Sequence, residues 1–185
     1  YRKKPFKINL FIFGLSFGFG FYLSGISWIT NSLTFDENFK ILIPFGLILI
    51  PLFLGLFVAL PVTIIGPKLK FDIASLLIFS FCFALSDYLR GKLFTGFPWN
   101  LWAYSTSSMN EILQISNYIG LYSYNLIVIT LFSVPLIIFF NLNIFKKLLI
   151  FSATLIFISS LYIFGNYKIN KNDKFLKSFE EKVFV

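Results

Sequence analysis

The sequence predicts an all-α, polytopic transmembrane helix bundle of about five spans, and three observations carry that prediction. Apolar residues make up 57% of the chain and charged residues 13%, where soluble domains carry roughly 25% charged. The apolar residues fall into runs close to the ~20 residues needed to cross a hydrocarbon core about 30 Å thick. The charges gather between those runs. Mean hydropathy is +0.82. A net charge of +8 raises nucleic acid as a partner, but the basic residues form short clusters and no stripe, so no nucleic acid is expected.

A basic head, with Arg2, Lys3, Lys4 and Lys7, leads into a first span over 8–30. Gly14 and Gly18 stand four apart, as do Ser16, Gly20 and Ser24. That spacing either lets a second helix approach closely or reflects the general frequency of glycine in membrane helices. Trp28 suits an interfacial position. After a polar loop with Asp36 and Glu37, a second span covers 41–60. Pro44 and Pro51 bend it, as packed membrane helices tolerate, and Pro61, Gly66 and Pro67 end it.

The third span, 71–89, closes on Asp87 and Arg90, three apart and so on one helical face. A polar and aromatic interval follows to Asn117, in which Asn110–Tyr118 reads as a short interfacial helix. The fourth and fifth spans cover 121–140 and 148–164. Residues 1–167 thus form the membrane domain. In 168–185 charges crowd together before the chain turns apolar again at Lys182–Val185, the pattern of a linker entering the first strand of a water-soluble domain. A disordered tail is the alternative. The chain opens on Tyr1 and its one methionine is Met109, as in an internal fragment.

Five spans put the two ends on opposite sides. With the head cytoplasmic, the inner segments hold Arg2, Lys3, Lys4, Lys7, Lys68, Lys70, Lys146 and Lys147, and the outer loops hold Lys40, Arg90 and Lys92. The positive-inside rule favours that orientation. The stretch LRGKLFTGFPWN, Leu89–Asn100, and the C-terminal tail then face outward.

The chain has no histidine, which excludes Ser-His or Cys-His catalysis and histidine metal sites within it. Cys82 lies mid-span with no evident base and reads as a structural thiol. The carboxylates form no cluster for metal or acid–base work, so no catalytic residue, no metal and no cofactor is assigned. What remains is the Asp87–Asn100 region. Arg90 offers a planar fork suited to phosphate, Lys92 adds a point charge, and Trp99, Trp102 and Tyr104 suit an acyl chain near the headgroups. Snorkelling cations with an aromatic belt fit equally well, and so does a structural Asp87–Arg90 pair.

The runs FGFGFYLSGISWITNSL, LIPFGLILIPLFLGLF and ALSDYLRGKLFTGFPWNLWAYS resemble the membrane region of bacterial apolipoprotein N-acyltransferases over nearly the whole chain. In that family a Glu-x-x-Arg-Gly helix end precedes a Thr-Gly-Phe-Pro-Trp turn; here Asp87 replaces the glutamate and keeps its charge. The resemblance implies a multi-pass protein of the bacterial inner membrane, carrying the third to seventh spans and the start of an α/β nitrilase-like domain on the periplasmic side. It further implies an acyl chain taken from a phospholipid onto a catalytic cysteine, activated by glutamate and lysine, and passed to the N-terminal cysteine of a diacylated apolipoprotein. The catalytic residues would lie beyond Val185, and a monomer is expected. Arg90, Lys92, Phe97, Pro98 and Trp99 are the candidate substrate-binding residues, shaping a lipid entrance. A non-catalytic membrane scaffold or transporter subunit is the competing reading, but no internal repeat or mid-span charge supports it.

Overall fold

The computed structural model describes residues 6–93, 96 and 98–183, and among them the chain is all-α with no strand. Among the described residues, five helical segments are long and apolar enough to cross a membrane: Lys7–Thr34, Glu37–Lys68, Ile73–Arg90, Leu121–Phe139 and Ile144–Leu176. The chain divides into two compact units, 1–101 and 102–185.

In the first unit, α1 (Lys7–Ile26), α2 (Ile43–Ile65) and α3 (Ile73–Arg90) are the three long helices. The small-residue spacing of α1 serves close packing. A Cβ added to Gly14 would lie 2.8 Å from the Ala59 Cα, and one added to Gly18 would lie 2.8 Å from the Gly55 Cα. The backbones of α1 and α2 therefore touch, as small-xxx-small faces allow. Tyr22, Ile26, Leu54 and Val58 fill the core beside that seam. Phe13 and Phe17 on α1 and Ile48, Leu49 and Phe53 on α2 are exposed, as suits helices whose solvent is lipid.

The 31–40 segment, expected as a plain loop, is largely 3₁₀-helical over Ser27–Thr34 and Glu37–Leu42. Thr30, Ser32 and Thr34 donate their hydroxyls to carbonyls three residues back, and Asp36 accepts from the Asn38 N–H at 2.9 Å.

Pro61 does not end the second span: α2 runs through it to Ile65. A proline removes the N–H that would bond the carbonyl four residues back, here that of Phe57. Ser86 of α3 supplies the missing donor, its hydroxyl 2.5 Å from the Phe57 carbonyl. A neighbouring helix thus repairs the break. Asp72 caps α3 by accepting from the Ser75 N–H at 2.7 Å, the usual N-cap device.

In the second unit, the expected interfacial helix is two short turns, α4 (Asn110–Leu113) and α5 (Ser116–Ile119). Helix α6 (Leu121–Ser133) follows and passes into a 3₁₀ stretch, Val134–Phe139. Pro135 causes the change: it has no N–H for the Leu131 carbonyl, and the Val134 N–H takes that carbonyl instead. Asn125 is wholly buried and accepts from the Ala103 N–H at 2.9 Å, while Tyr124 bonds Thr106 at 2.6 Å. Those two contacts anchor the segment entering the unit.

Helix α7 (Ile144–Val183) is 40 residues long, roughly 60 Å at 1.5 Å per residue. Its Gly165 has no room for a side chain because the Glu111 carbonyl occupies that space. Lys168 lies over the rings of Tyr118 and Phe164, at 5.2 and 5.7 Å.

Over 168–185, where a linker and a strand are expected, the backbone is helical to Val183, and 184–185 lie outside the described residues. A strand needs a ladder partner, and none is present among the described residues. A helix satisfies its own backbone, and Lys171, Asp173 and Lys174 tolerate it well as exposed residues. The start of a nitrilase-like domain is not visible.

Candidate functional site: the turn after the third span

The LRGKLFTGFPWN stretch is built on the C-terminal end of α3. Asp87 and Arg90 share one face, and the Arg90 Nη2 donates to the Asp87 carboxylate at 3.0 Å. The Arg90 Nη1 donates to the Trp99 carbonyl at 2.6 Å, and the guanidinium lies over the Tyr22 ring of α1 at 5.2 Å. The Arg90 side chain has 0% exposure. One cation therefore ties together the end of α3, the returning turn and α1. Its position in the last turn of α3 also complements the helix dipole.

Between these anchors the chain reverses sharply. The Leu93 N–H donates to the Leu89 carbonyl at 2.7 Å and the Gly96 N–H to the Leu93 carbonyl at 2.9 Å. Gly96 has φ +74°, and a Cβ there would lie 2.8 Å from the Gly91 carbonyl oxygen. Only glycine meets both conditions. Asn100 has φ +55°, a conformation asparagine tolerates better than most. Its side-chain amide fills the space where Gly25 would carry a Cβ. Trp99 stacks on Trp28, ring centres 4.9 Å apart and 17° from parallel, and the Trp28 indole N–H donates to the Gly25 carbonyl at 3.2 Å.

The sequence-predicted residues separate into two kinds. Arg90 is inside, engaged by Asp87, Trp99 and Tyr22, which favours the structural reading of the pair. Lys92 is exposed, Pro98 is half-buried and Trp99 is exposed; Phe97 lies outside the described residues. Trp102 belongs to the second unit, where it meets Phe132 edge-on at 6.4 Å. Sequence reasoning missed the receiving surface at the end of α1 and the start of the 3₁₀ stretch after it. Tyr22, Gly25 and Trp28 stand three apart, a spacing that puts them along one helical face, and that spacing was the available signal.

Beside the turn, α2 and α3 flank a cavity of about 340 Å³. Its wall includes Phe57, Pro61 and Ile64 from α2, and Cys82, Leu85 and Leu89 from α3. Leu93 of the turn lines it as well. No group of three or more potential metal ligands occurs among the described residues.

Comparison with known proteins agrees with this architecture. The family model for the apolipoprotein N-acyltransferase N-terminal domain matches residues 2–134. A Rhizobium meliloti protein named apolipoprotein N-acyltransferase is 33% identical over 126 residues, covering 68% of this chain and 24% of its own length. One from Brucella melitensis is 35% identical over 123 residues, covering 66% of this chain and 23% of its own length. One from Sinorhizobium medicae is 32% identical over 126 residues. The chain thus spans about a quarter of the length of these relatives. No solved structure matches. With the matched region enclosing α1 to α6 and the Arg90-clamped turn, this chain belongs to the apolipoprotein N-acyltransferase family, through the N-terminal membrane domain.

Proposed function

We propose that this chain is the membrane part of an enzyme that moves an acyl chain from a phospholipid, through a cysteine thioester, to the N-terminal cysteine of a diacylated apolipoprotein. The observation that carries the reading is the buried Arg90 clamp. It ties the Trp99 carbonyl to the end of α3, with Lys92 and Trp99 exposed. A cation and an indole at a span end suit the phosphate and upper acyl region of a lipid. Arg90 positions that turn; Lys92, Phe97, Pro98 and Trp99 form the lipid entrance.

In this reading the turn faces the periplasm, the membrane is the bacterial inner membrane, and the protein works as a monomer. The glutamate, lysine and cysteine that carry the acyl group belong to a nitrilase-like domain outside these residues. Cys82 faces the apolar cavity and is no part of that chemistry.

The test is acyl transfer to a diacylated lipopeptide in phosphatidylethanolamine vesicles, followed by mass spectrometry of the peptide. The parent protein carrying these residues is expected to add one acyl group, and the 185-residue chain alone none. A parent protein that folds yet leaves the lipopeptide unmodified refutes the reading.

A further inference from the structure

We propose that residues 107–119 form a strap, rooted at both ends on α6 and buckled onto α7, that opens about Gly120. The proposal goes beyond acyl transfer and does not depend on it.

Both roots lie on one helix. The Ala103 N–H donates to the buried Asn125 side chain at 2.9 Å, and Thr106 bonds Tyr124 at 2.6 Å, so the chain leading into the strap is fixed to α6. At the other end Gly120 passes straight into α6. Between the roots, α4 and α5 bond only to themselves: among the described residues, the hydrogen bonds of 110–119 close within 109–120. Yet α7 packs chiefly on α4, while α6 packs on α5 and the Trp102–Thr106 turn. Two contacts form the buckle. The Glu111 carbonyl fills the space that a Cβ on Gly165 would take. One turn further along α7, the Lys168 ammonium lies 5.2 Å from the Tyr118 ring and 5.7 Å from that of Phe164, and the two rings meet edge-on at 5.6 Å. A cation within about 6 Å of a ring face is held by its quadrupole. Neither contact is a hydrogen bond, so the buckle parts without unmaking a helix, and parting it bares Gly165, which is buried while the strap is shut. The joint is Gly120, at φ +80° and ψ 160°, a region that is essentially glycine's alone. A Cβ there would meet nothing within 4 Å among the described residues. Packing therefore does not call for glycine at 120; the bend of the backbone does.

The experiment is hydrogen–deuterium exchange on the parent protein in phospholipid vesicles, with peptides mapped by mass spectrometry. Amides of 110–119 are expected to exchange together and ahead of those of α6, as a locally opening unit does. Lys168→Gln removes the cation and should speed exchange of 110–119 by about two- to fivefold, whereas Lys168→Arg keeps a cation for the rings and should change it little. Gly165→Ala sets a methyl against the Glu111 carbonyl and should speed it severalfold, even though alanine is the better helix former. Gly120→Ala strains the shut strap and should speed it by roughly tenfold. In each variant α6 should exchange as before. Exchange of 110–119 in step with α6 in the unmodified protein would overturn the proposal, as would indifference of 110–119 to Lys168→Gln. Equal acceleration of 110–119 and α6 in Lys168→Gln would overturn it too, since the loss would then be one of overall stability. The unmodified protein and Lys168→Gln decide the matter even if Gly165→Ala does not fold.

Discussion

Arg90 shows how one side chain sets a local structure. Its two Nη donors reach a carboxylate and a main-chain carbonyl on opposite sides of the turn, a geometry that lysine, a point charge, cannot copy. Arg90→Ala removes the guanidinium that Asp87 accepts from, and breaking a buried pair from one side costs about 3–5 kcal/mol. A large fall in the thermal midpoint in detergent is expected, with Arg90→Lys recovering little of it. Asp72 offers a pH-dependent counterpart outside the spans. The Ser75 N–H holds its carboxyl below the usual carboxylate range. Because the folded value is the lower one, the stabilisation is complete above the unfolded value of about 3.9 and fades as pH falls through the folded value. Asp72→Asn keeps an acceptor but does not titrate. Its stability gap to the parent chain, measured by thermal unfolding, should therefore shrink below about pH 4.

Between elements, the Ser86–Phe57 contact exists because Pro61 has no N–H to give. Ser86→Ala should cost about 1 kcal/mol, in the range for hydrogen bonds between membrane helices. Pro61→Ala restores the helix's own donor, so in that background Ser86→Ala should be nearly silent. Equal costs in both backgrounds, in a double-mutant cycle on unfolding free energies, would show that the hydroxyl is not repairing the break. The α1–α2 seam is less forgiving. At Gly18 a Cβ meets backbone on α2, and backbone cannot swing aside as a side chain does. Gly18→Leu should push the helices apart and sharply reduce folded yield, whereas Gly20→Leu, with nothing near its Cβ position, should be tolerated.

For the whole chain, orientation is the property to test. Counting cations predicts residue 92 on the periplasmic side and residue 146 on the cytoplasmic side. In a Cys82→Ala background, an impermeant maleimide added to intact spheroplasts should label Lys92→Cys and spare Lys146→Cys; the reverse pattern inverts the topology. Span number and order were legible because bilayer thickness turns hydropathy into length. The importance of Leu89–Asn100 was legible because charges, glycines and a proline interrupt apolar sequence. What Arg90 does was not, since a fork aimed at a phosphate and one aimed at Asp87 and the Trp99 carbonyl read alike in one dimension. The fate of Pro61 was hidden for a related reason: its cure sits on another helix, 25 positions downstream at Ser86. The helix over 168–183 was hidden because crowded charges ahead of an apolar end read as a linker and a strand.

Helix α7 also works as a gauge with a fixed zero. Gly165 admits the Glu111 carbonyl and nothing larger, so the helix cannot slide or rotate at that point without a collision. From there to Val183 the helix is continuous, roughly 27 Å at 1.5 Å per residue. Height and azimuth at its far end are therefore coupled. One residue inserted after Lys168 would raise that end by about 1.5 Å and turn it by about 100°, whereas an insertion of seven residues, close to two whole turns, would raise it by about 10 Å and leave its heading nearly unchanged.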